Sequence, residues 1–590
     1  MLHTCCGYFE PVQSASLTFH QGDKITPGTD QLNVPKEPFI WKVQHGCLED
    51  GKVCADGLHG FRYLKISLDA LATDEPYAQP FGEVAISSVS VKLSSFPGTP
   101  GTFTGWFECS DPELNAFWYD AAYTNDMCID VFRKNDTEPR NAASLSLIGK
   151  LVLHDGAKRD RDPYVGDLAV AARTLLLTHN VTEAVRNVLA DLGDHQRDDG
   201  WIPPASINGY TLPLFDYPLW WIVCSYDLVL YTGDLEYARK YYSNIQQVLD
   251  KWYPSATNSA SSLLSKGIGN TEGYGDYAFL PRNGPVTYYN VLYVLALNNA
   301  ASLAKFLDVE NDDAFRWTER ASNVTAAINQ NLWDAQVGAY LDSLTGPIRH
   351  AQDGNSIAVL AKVATPSQTC SLLSHLSTTA LAYGNPFYDN DRLGLGFSKR
   401  VYPFISYFEI LARFSSGEAH SAIDQIRRTY RWMRTHDPFS TFWEGIGTDG
   451  SMYEGGYTSA AHGWSTGVLP ALTNHVLGVM PTGPGFQTWS IKPITGNIDW
   501  AQGVVPTPRG NISVQWVRHR DACQFKIRFD TPQDTAGEIS VPLCEQAGGD
   551  VYLDEMQVWR QTAVGPDAST STPGYLTLAV TGGQHEVTVQ

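Results

Sequence analysis

The sequence predicts a multidomain α and β protein: a long helical domain over residues 107–482, set between antiparallel β-sandwich domains at 1–106 and 483–590. Three observations predict it. Short segments of period-two apolar spacing, punctuated by Gly and Pro, fill both ends of the chain. Long stretches with apolar residues at helical spacing fill the middle. The composition switches between the two patterns near Phe107 and again near Pro481.

In the first segment, Phe61–Ser67 and Val84–Val91 alternate apolar and polar residues, as a half-buried strand requires. Ser95-Phe-Pro-Gly-Thr-Pro-Gly-Thr102 reads as a linker. A helix start follows at Ser110-Asp-Pro-Glu113, where a hydroxyl or carboxylate cap precedes Pro in the first turn and an acid near the positive end of the dipole. Helices are predicted at 168–177, 182–192, 219–230, 235–252, 286–307, 313–333, 405–414 and 418–433. Gly-, Pro- and aromatic-rich loops separate them, and this alternation predicts a barrel of helical hairpins whose loops gather into a pocket at one end. Beyond Pro481, strand patterns recur at Ile512–Val517, Gln524–Phe529, Glu538–Leu543 and Glu586–Val589.

A net charge of −21 and a sequence pI near 5.1 argue against a nucleic-acid partner, which would need a basic face. No apolar run is long enough to span a membrane. A neutral small ligand fits better, and 16 Trp with 29 Tyr supply flat rings suited to sugar faces as well as to a large core. Cys47 with Cys54, and Cys523 with Cys544, are candidate disulfides among the 10 Cys. Sequons at Asn135, Asn180, Asn323 and Asn511 favour an extracellular setting over the cytoplasm, although the N-terminus shows no signal-peptide pattern. No Cys-x-x-Cys or His-Glu-x-x-His pattern occurs, so no zinc site and no cofactor is expected.

The chemistry is expected at Asp155-Gly-Ala-Lys-Arg-Asp-Arg-Asp-Pro-Tyr-Val-Gly-Asp167. Four carboxylates (Asp155, Asp160, Asp162, Asp167) stand among Lys158, Arg159 and Arg161, just before a helix. A solvated loop also carries such charges, but Pro163, Tyr164 and Gly166 add a rigid turn, a ring and a backbone hinge. Asp167 is placed to cap the following helix. Several carboxylates beside aromatics in a loop-lined pocket point to glycoside hydrolysis, which needs one carboxylic acid to protonate the leaving oxygen and a second carboxylate to act on carbon or water. Asp160 is the candidate acid; its Arg neighbours must then face other carboxylates, because a guanidinium aimed at it would lower its pKa. Glu444, isolated in Thr441-Phe-Trp-Glu-Gly-Ile-Gly447, is the candidate second carboxylate, with Glu454 its competitor.

These segments resemble glycoside hydrolase family 78, the α-L-rhamnosidases, in the branch whose loop reads Asp-Gly-x-Lys-Arg-Asp-Arg-x-Pro-Trp-x-Gly-Asp; Tyr164 stands where Trp is usual. Gly105-Trp-Phe-Glu-Cys-Ser-Asp-Pro-Glu-Leu-Asn115, Thr441–Glu444, His462-Gly-Trp-Ser465 and Gly483–Pro493 resemble further family segments in the same order. The resemblance implies an (α/α)6 six-hairpin barrel and an inverting exo-acting hydrolase of terminal α-L-rhamnose, with Asp160 the general acid and Glu444 the general base, roughly 6.5–9.5 Å apart. It also implies that Asp155, Asp167, His462 and Trp464 hold the sugar. Tyr164, Trp443 and Trp464 are candidates for the apolar wall that a 6-deoxy sugar requires, and Arg159 joins the candidate contacts. Trp201, Tyr210, Asp216, Trp220 and Trp221 form an aromatic-acid cluster that fits sugar contact or core packing, while Asp276 with Tyr277 and Asp353 with Asn355 are expected in pocket loops. His154 is read as a structural partner. The acid is Asp where many family members have Glu, and the short chain suggests small glycosides or chain ends as substrates. Another six-hairpin glycosidase, a polysaccharide lyase on the same barrel and a non-catalytic sugar binder are the alternatives; the oligomeric state is not legible.

Overall fold

The computed structural model describes residues 103–132, 144–157, 162–179, 181–309, 312–436, 441–453, 459–520, 522, 524–543, 549–560 and 574–590, with the backbone of strands Ala15–His20, Phe39–Trp41 and Tyr63–Leu68. Those three strands form an antiparallel sheet with Ala15–His20 in the middle. The expected strand at Val84–Val91 and both candidate disulfides lie outside the described residues.

The centre of the molecule is a closed ring of helices. We number them α1 Pro112–Asp126, α2 Val165–Thr178, α3 Thr182–Asp194, α4 Tyr217–Thr232, α5 Leu235–Gln247, α6 Thr287–Phe306, α7 Asp313–Asn331, α8 Gln352–Leu360, α9 Pro366–Thr378, α10 Pro403–Ser415, α11 Ala419–His436 and α12 Val468–Ala471, the last continued by a π-helical turn to Leu477. The even-numbered helices pack each on the next, and α12 returns to α2; the odd-numbered helices pack outside them. This is the expected six-hairpin barrel.

Inner and outer helices differ in the residues that make them. α4, Tyr-Pro-Leu-Trp-Trp-Ile-Val-Cys-Ser-Tyr-Asp-Leu-Val-Leu-Tyr-Thr, is apolar around its whole circumference and buries almost every residue. α5 buries Tyr237, Ala238, Tyr241 and Ile245, a single stripe, and turns its charged residues to solvent. Local signals set the ends. Asp111 caps α1 by accepting hydrogen bonds from the amides of Glu113 and Leu114 at 2.9 and 3.3 Å. Thr365 and Gln368 form a capping box on α9, with Pro366 in its first turn.

Beyond the barrel, nine described strands form one sheet. Its path runs Met556–Arg560, Asp550–Leu553, Tyr575–Val589, Gln524–Pro542, Ile512–His519, Trp500–Val505 and Trp106–Cys109, all antiparallel neighbours. Thr488–Ile491 runs parallel to Ala536–Ile539 and joins Val479–Pro481 to the sheet. The entry strand Trp106–Cys109 thus pairs with residues 501–504, so the chain leaves and re-enters this sheet around the whole barrel. No helix among the described residues is long and apolar enough to cross a membrane.

Two expectations are corrected here. Asp353 and Asn355 are not in a loop but in the first turns of α8. Its period was illegible because its buried residues Gln352, Asp353, Asn355 and Ser356 are polar, each held by at least one hydrogen bond rather than by apolar packing. Gly166 is not a hinge: it lies inside α2, where a Cβ would come 2.6 Å from the Tyr217 ring, so it is the residue that lets α2 and α4 approach.

Candidate active site

The inner helices all start at the same end of the ring, and a cavity of about 430 Å³ opens there. Its wall is built from residues at those starts: Tyr164 precedes α2, Tyr217 begins α4, Tyr402 precedes α10 and Trp464 precedes α12. The helix N-termini bring partial positive charge towards the cavity and suit the carboxylates found there.

Asp155 follows the strand Leu151–Leu153, and residues 155–157 then run antiparallel to 461–463. The Ala157 amide donates to the Ala461 carbonyl at 3.0 Å, and the Gly463 amide to the Asp155 carbonyl at 2.6 Å. A Cβ on Gly463 would lie 3.0 Å from that of Ala171, so glycine permits this close pairing on α2. Asp155 and Asp162 close a loop: the Asp155 amide donates to the Asp162 carbonyl at 2.9 Å, and the Asp162 amide donates to Asp155 Oδ1 at 3.0 Å. Residues 158–161, among them Arg159 and Asp160, lie outside the described residues, as does Glu454.

Asp167 sits in the first turn of α2, but not as its cap. The cap position is Tyr164, which makes no side-chain cap bond, and Asp167 Oδ1 instead lies 2.9 Å from His462 Nε2. Burial, and then the charge of Glu444, push the Asp167 carboxyl above its usual range against the pull of His462. Burial would lower the imidazole, but the hydrogen bond from Asp167, the Glu444 charge and the remaining acids win, so the His462 pKa is raised. The neighbouring carboxylates thus favour the charged form of His462, whose buried Nδ1 makes no hydrogen bond. Glu444 lines the same cavity: Oε2 accepts from the Ser459 amide at 2.9 Å, and its carbonyl accepts from the Trp464 indole at 2.9 Å. Trp464 stacks on Phe404 at 5.1 Å and meets the Tyr277 ring edge-on at 6.3 Å, so that two aromatic rings line the cavity beside Glu444 and His462.

The cavity thus brings together Asp155, Tyr164, Asp167, Tyr277, Glu444, His462 and Trp464. Trp201, Trp220, Trp221 and Trp443 do not line it; they are buried in the core, and the first three indoles donate to Leu214 O, Tyr288 Oη and Leu189 O. Tyr210 does not line it either; its hydroxyl donates to Asp191 of α3 at 2.9 Å. His154 is buried, its ring facing Phe132.

Asp216, Asp276 and Asp353 lie behind the wall in a buried network. Arg282, wholly buried, binds Asp276 at 2.9 Å, Asp342 at 2.8 Å and Asp353 at 2.5 Å. Burial raises the Asp276 carboxyl, but the guanidinium overrides it and holds it low. Asp216 has no such partner: burial, then repulsion from Asp276, push it up to about 7. The network holds Tyr277 in place, since Asp353 Oδ2 accepts from its hydroxyl at 3.1 Å and Asp216 Oδ2 from its amide at 3.3 Å.

Sequence reasoning missed Tyr217, Phe279, Phe397, Arg400, Tyr402 and Tyr453 on the cavity wall. A signal existed for two of them: Tyr217-Pro218 and Tyr402-Pro403 both open inner helices with Pro in the first turn. Phe279 had none. It is 62% exposed at the cavity mouth, with a positive φ of 51° that side chains rarely adopt.

Comparison with known proteins agrees with this architecture. Residues 149–379 match the bacterial α-L-rhamnosidase six-hairpin glycosidase domain, and residues 478–551 the bacterial α-L-rhamnosidase C-terminal domain. An α-L-rhamnosidase of Alteromonas sp. (strain LOR) is 22% identical over 381 residues, covering 60% of this chain and 38% of that protein. The solved α-L-rhamnosidase from Dictyoglumus thermophilum superposes with a TM-score of 0.65 at 16% identity, over 100% of this chain and 60% of the other. The Streptomyces avermitilis α-L-rhamnosidase complexed with L-rhamnose also gives 0.65 at 16% identity, over 99% and 50%. At these identities the structural likeness is one of fold, and the chain spans between a third and two thirds of each of these relatives.

Proposed function

Because the chain belongs to the bacterial α-L-rhamnosidases, glycoside hydrolase family 78, we propose that it removes terminal α-L-rhamnose from glycosides or oligosaccharides by an inverting mechanism. Asp160 gives its proton to the leaving glycosidic oxygen. Glu444 takes a proton from water as the water oxygen attacks the anomeric carbon from the opposite face, and the product anomer is inverted.

The observation that carries this reading is the convergence of Asp155, Asp167 and Glu444 with His462 on one small cavity that aromatic rings also line. Carboxylates accept from sugar hydroxyls, and three of them on the wall against the Arg400 guanidinium and the His462 ring support a neutral sugar over the acidic substrate of a lyase. A volume of about 430 Å³ suits a chain end rather than the middle of a polymer. Trp464 and Tyr277 provide the apolar surface that a 6-methyl group needs, with Phe404 stacked behind Trp464. Asp160 belongs to the segment between Ala157 and Asp162, whose two ends are both pinned beside the cavity by the Ala461 and Asp155 bonds.

Proton NMR during hydrolysis of an aryl α-L-rhamnoside tests the proposal. The β-anomer should accumulate first; the α-anomer first would make the enzyme retaining, and absence of cleavage would remove rhamnose as the substrate.

A further inference from the structure

Away from the cavity, His350, His375 and Asp389 bring three ligand atoms within 4.8 Å of one another from three separate segments. His350 precedes α8, His375 is in the last turn of α9, and Asp389 lies between α9 and α10. The geometry points to a divalent transition-metal site here, with His350 Nδ1, His375 Nε2 and Asp389 Oδ2 as ligands and zinc as the ion they suit.

The two oxygens of Asp389 have different tasks. Oδ1 accepts from the His350 amide at 3.0 Å and from Asn390 Nδ2 at 2.7 Å, which fixes the carboxylate plane. Oδ2 is thereby aimed between the imidazoles, 2.7 Å from His350 Nδ1 and 3.5 Å from His375 Nε2. Both contacts lie within ion-pair distance, and the second is longer than the first by 0.8 Å. His375 Nε2 is buried and makes no hydrogen bond, which is the state of a nitrogen whose lone pair is directed at a cation. The two rings meet at 74° with centroids 5.2 Å apart rather than stacking, and one ligand atom from each lies within 4.8 Å of the other and of an Asp389 oxygen.

The opposite nitrogen of His350 supports the same assignment. Nε2 faces Asp334 Oδ2 at 3.3 Å, as in sites where a carboxylate orients a metal-ligating imidazole and fixes its tautomer. With Zn–N and Zn–O bonds of about 2.0–2.2 Å, the ligand atoms of a tetrahedral ion stand roughly 3.3 Å apart. The 3.5 Å pair is already near that value, and the 2.7 Å pair opens as the metal replaces the shared proton. His375 and Asp389 are 16% and 13% exposed, which leaves a water-accessible fourth position. Imidazole-rich donors select zinc, copper or nickel over calcium or magnesium.

Such an ion ties α8 and α9 to the segment that follows Asp389. That segment supplies Phe397 and Arg400 to the cavity wall, and the Tyr388 amide donates to the Phe397 carbonyl at 3.2 Å. The ion would therefore brace this segment with water as its fourth ligand, and the site stands or falls independently of the sugar chemistry. No motif signals it, because its ligands come from segments that meet only in the folded barrel.

Full-length protein stripped with a chelator and then titrated with zinc chloride tests the assignment, with bound metal counted by equilibrium dialysis and mass spectrometry and Tm followed in parallel. The expected result is one zinc per chain and a raised Tm, both lost in His375→Ala. Asp334→Asn keeps all three ligands and should weaken binding roughly 10–100-fold; it decides the matter if His375→Ala does not fold. No zinc uptake by the wild type, unchanged binding in these variants, or an equal Tm shift from calcium chloride would each overturn the site.

Discussion

Asp167 Oδ1 and His462 Nε2 stand 2.9 Å apart across 295 residues of sequence. The bond joins the first turn of α2 to the turn before α12, which are the two ends of the helical ring, and it does so on the cavity wall. One contact therefore closes the barrel and shapes the site. Asp167→Asn and His462→Ala should each raise KM for an aryl rhamnoside, and the double variant should lose less than the sum of the two by about 0.5–3 kcal/mol. Strict additivity in a double-mutant cycle of kcat/KM would show that the pair does not act as a unit.

Glu444→Gln keeps the shape of the side chain and its bond from the Ser459 amide but removes the base. Turnover should fall by about 10²–10⁴-fold with Tm unchanged, and Asp160→Asn should do the same. A loss below tenfold in initial-rate assays would take either residue out of its role.

Asp216 gives the chain a stability that depends on pH. Its carboxyl ionises near 4 in an unfolded chain but only at about 7 when buried beside Asp276. Between those values the folded state keeps a proton that the unfolded state has lost, so this contribution to stability falls as pH rises from about 4 to about 7. Asp216→Asn retains an acceptor for the Tyr277 amide and the Tyr288 hydroxyl without the charge. Its unfolding free energy relative to wild type, read from chemical denaturation, should climb across that window by an amount on the order of a few kcal/mol; a gap that stays constant with pH would refute the cause.

Phe279 holds a left-handed backbone at the mouth of the cavity while exposing most of its ring. Phe279→Gly should leave Tm level or raise it, since that conformation disfavours a Cβ by roughly 1–2 kcal/mol. If the ring receives the aglycone, KM for aryl glycosides should rise about 2–10-fold, the equivalent of an aromatic contact of about 0.5–1.5 kcal/mol. Unchanged KM with several aryl leaving groups would assign the ring no such part.

Gly166→Ala would set a Cβ 2.6 Å from the Tyr217 ring, between two buried helices. Overpacking of this kind should lower stability by about 1–3 kcal/mol, read from chemical denaturation, with Tyr217→Ala restoring part of the loss in the double variant. No destabilisation would mean that α2 and α4 have slack at their crossing.

The apolar rhythm of the chain was enough to place α2 to α7, α10 and α11, because each buries a continuous face or its whole surface in side chains of one kind. It failed at α8, whose buried face is polar, and at the short α12. At α9 the capping box Thr365-Pro-Ser-Gln368 was a local signal available to be read. The strand patterns after Pro481 were legible, whereas the pairing of Trp106–Cys109 with residues 501–504 was not, since nothing in either segment names its partner.

By itself the sequence determined the order of β and α regions, the helical-hairpin plan and the set of acidic and aromatic residues from which a sugar site would be drawn. Only the tertiary structure decided which of those residues meet. Asp155, Asp167 and Glu444 reach one cavity, while Asp276 and Asp353 turn to Arg282 and burial beside Asp276 raises the Asp216 carboxyl behind Tyr277. Apolar periodicity reports that a side chain is buried, because burial follows from helix geometry. A buried carboxylate is set apart as binding group or structural anion by the charge nearest to it, and that neighbour comes from a segment tens to hundreds of residues away.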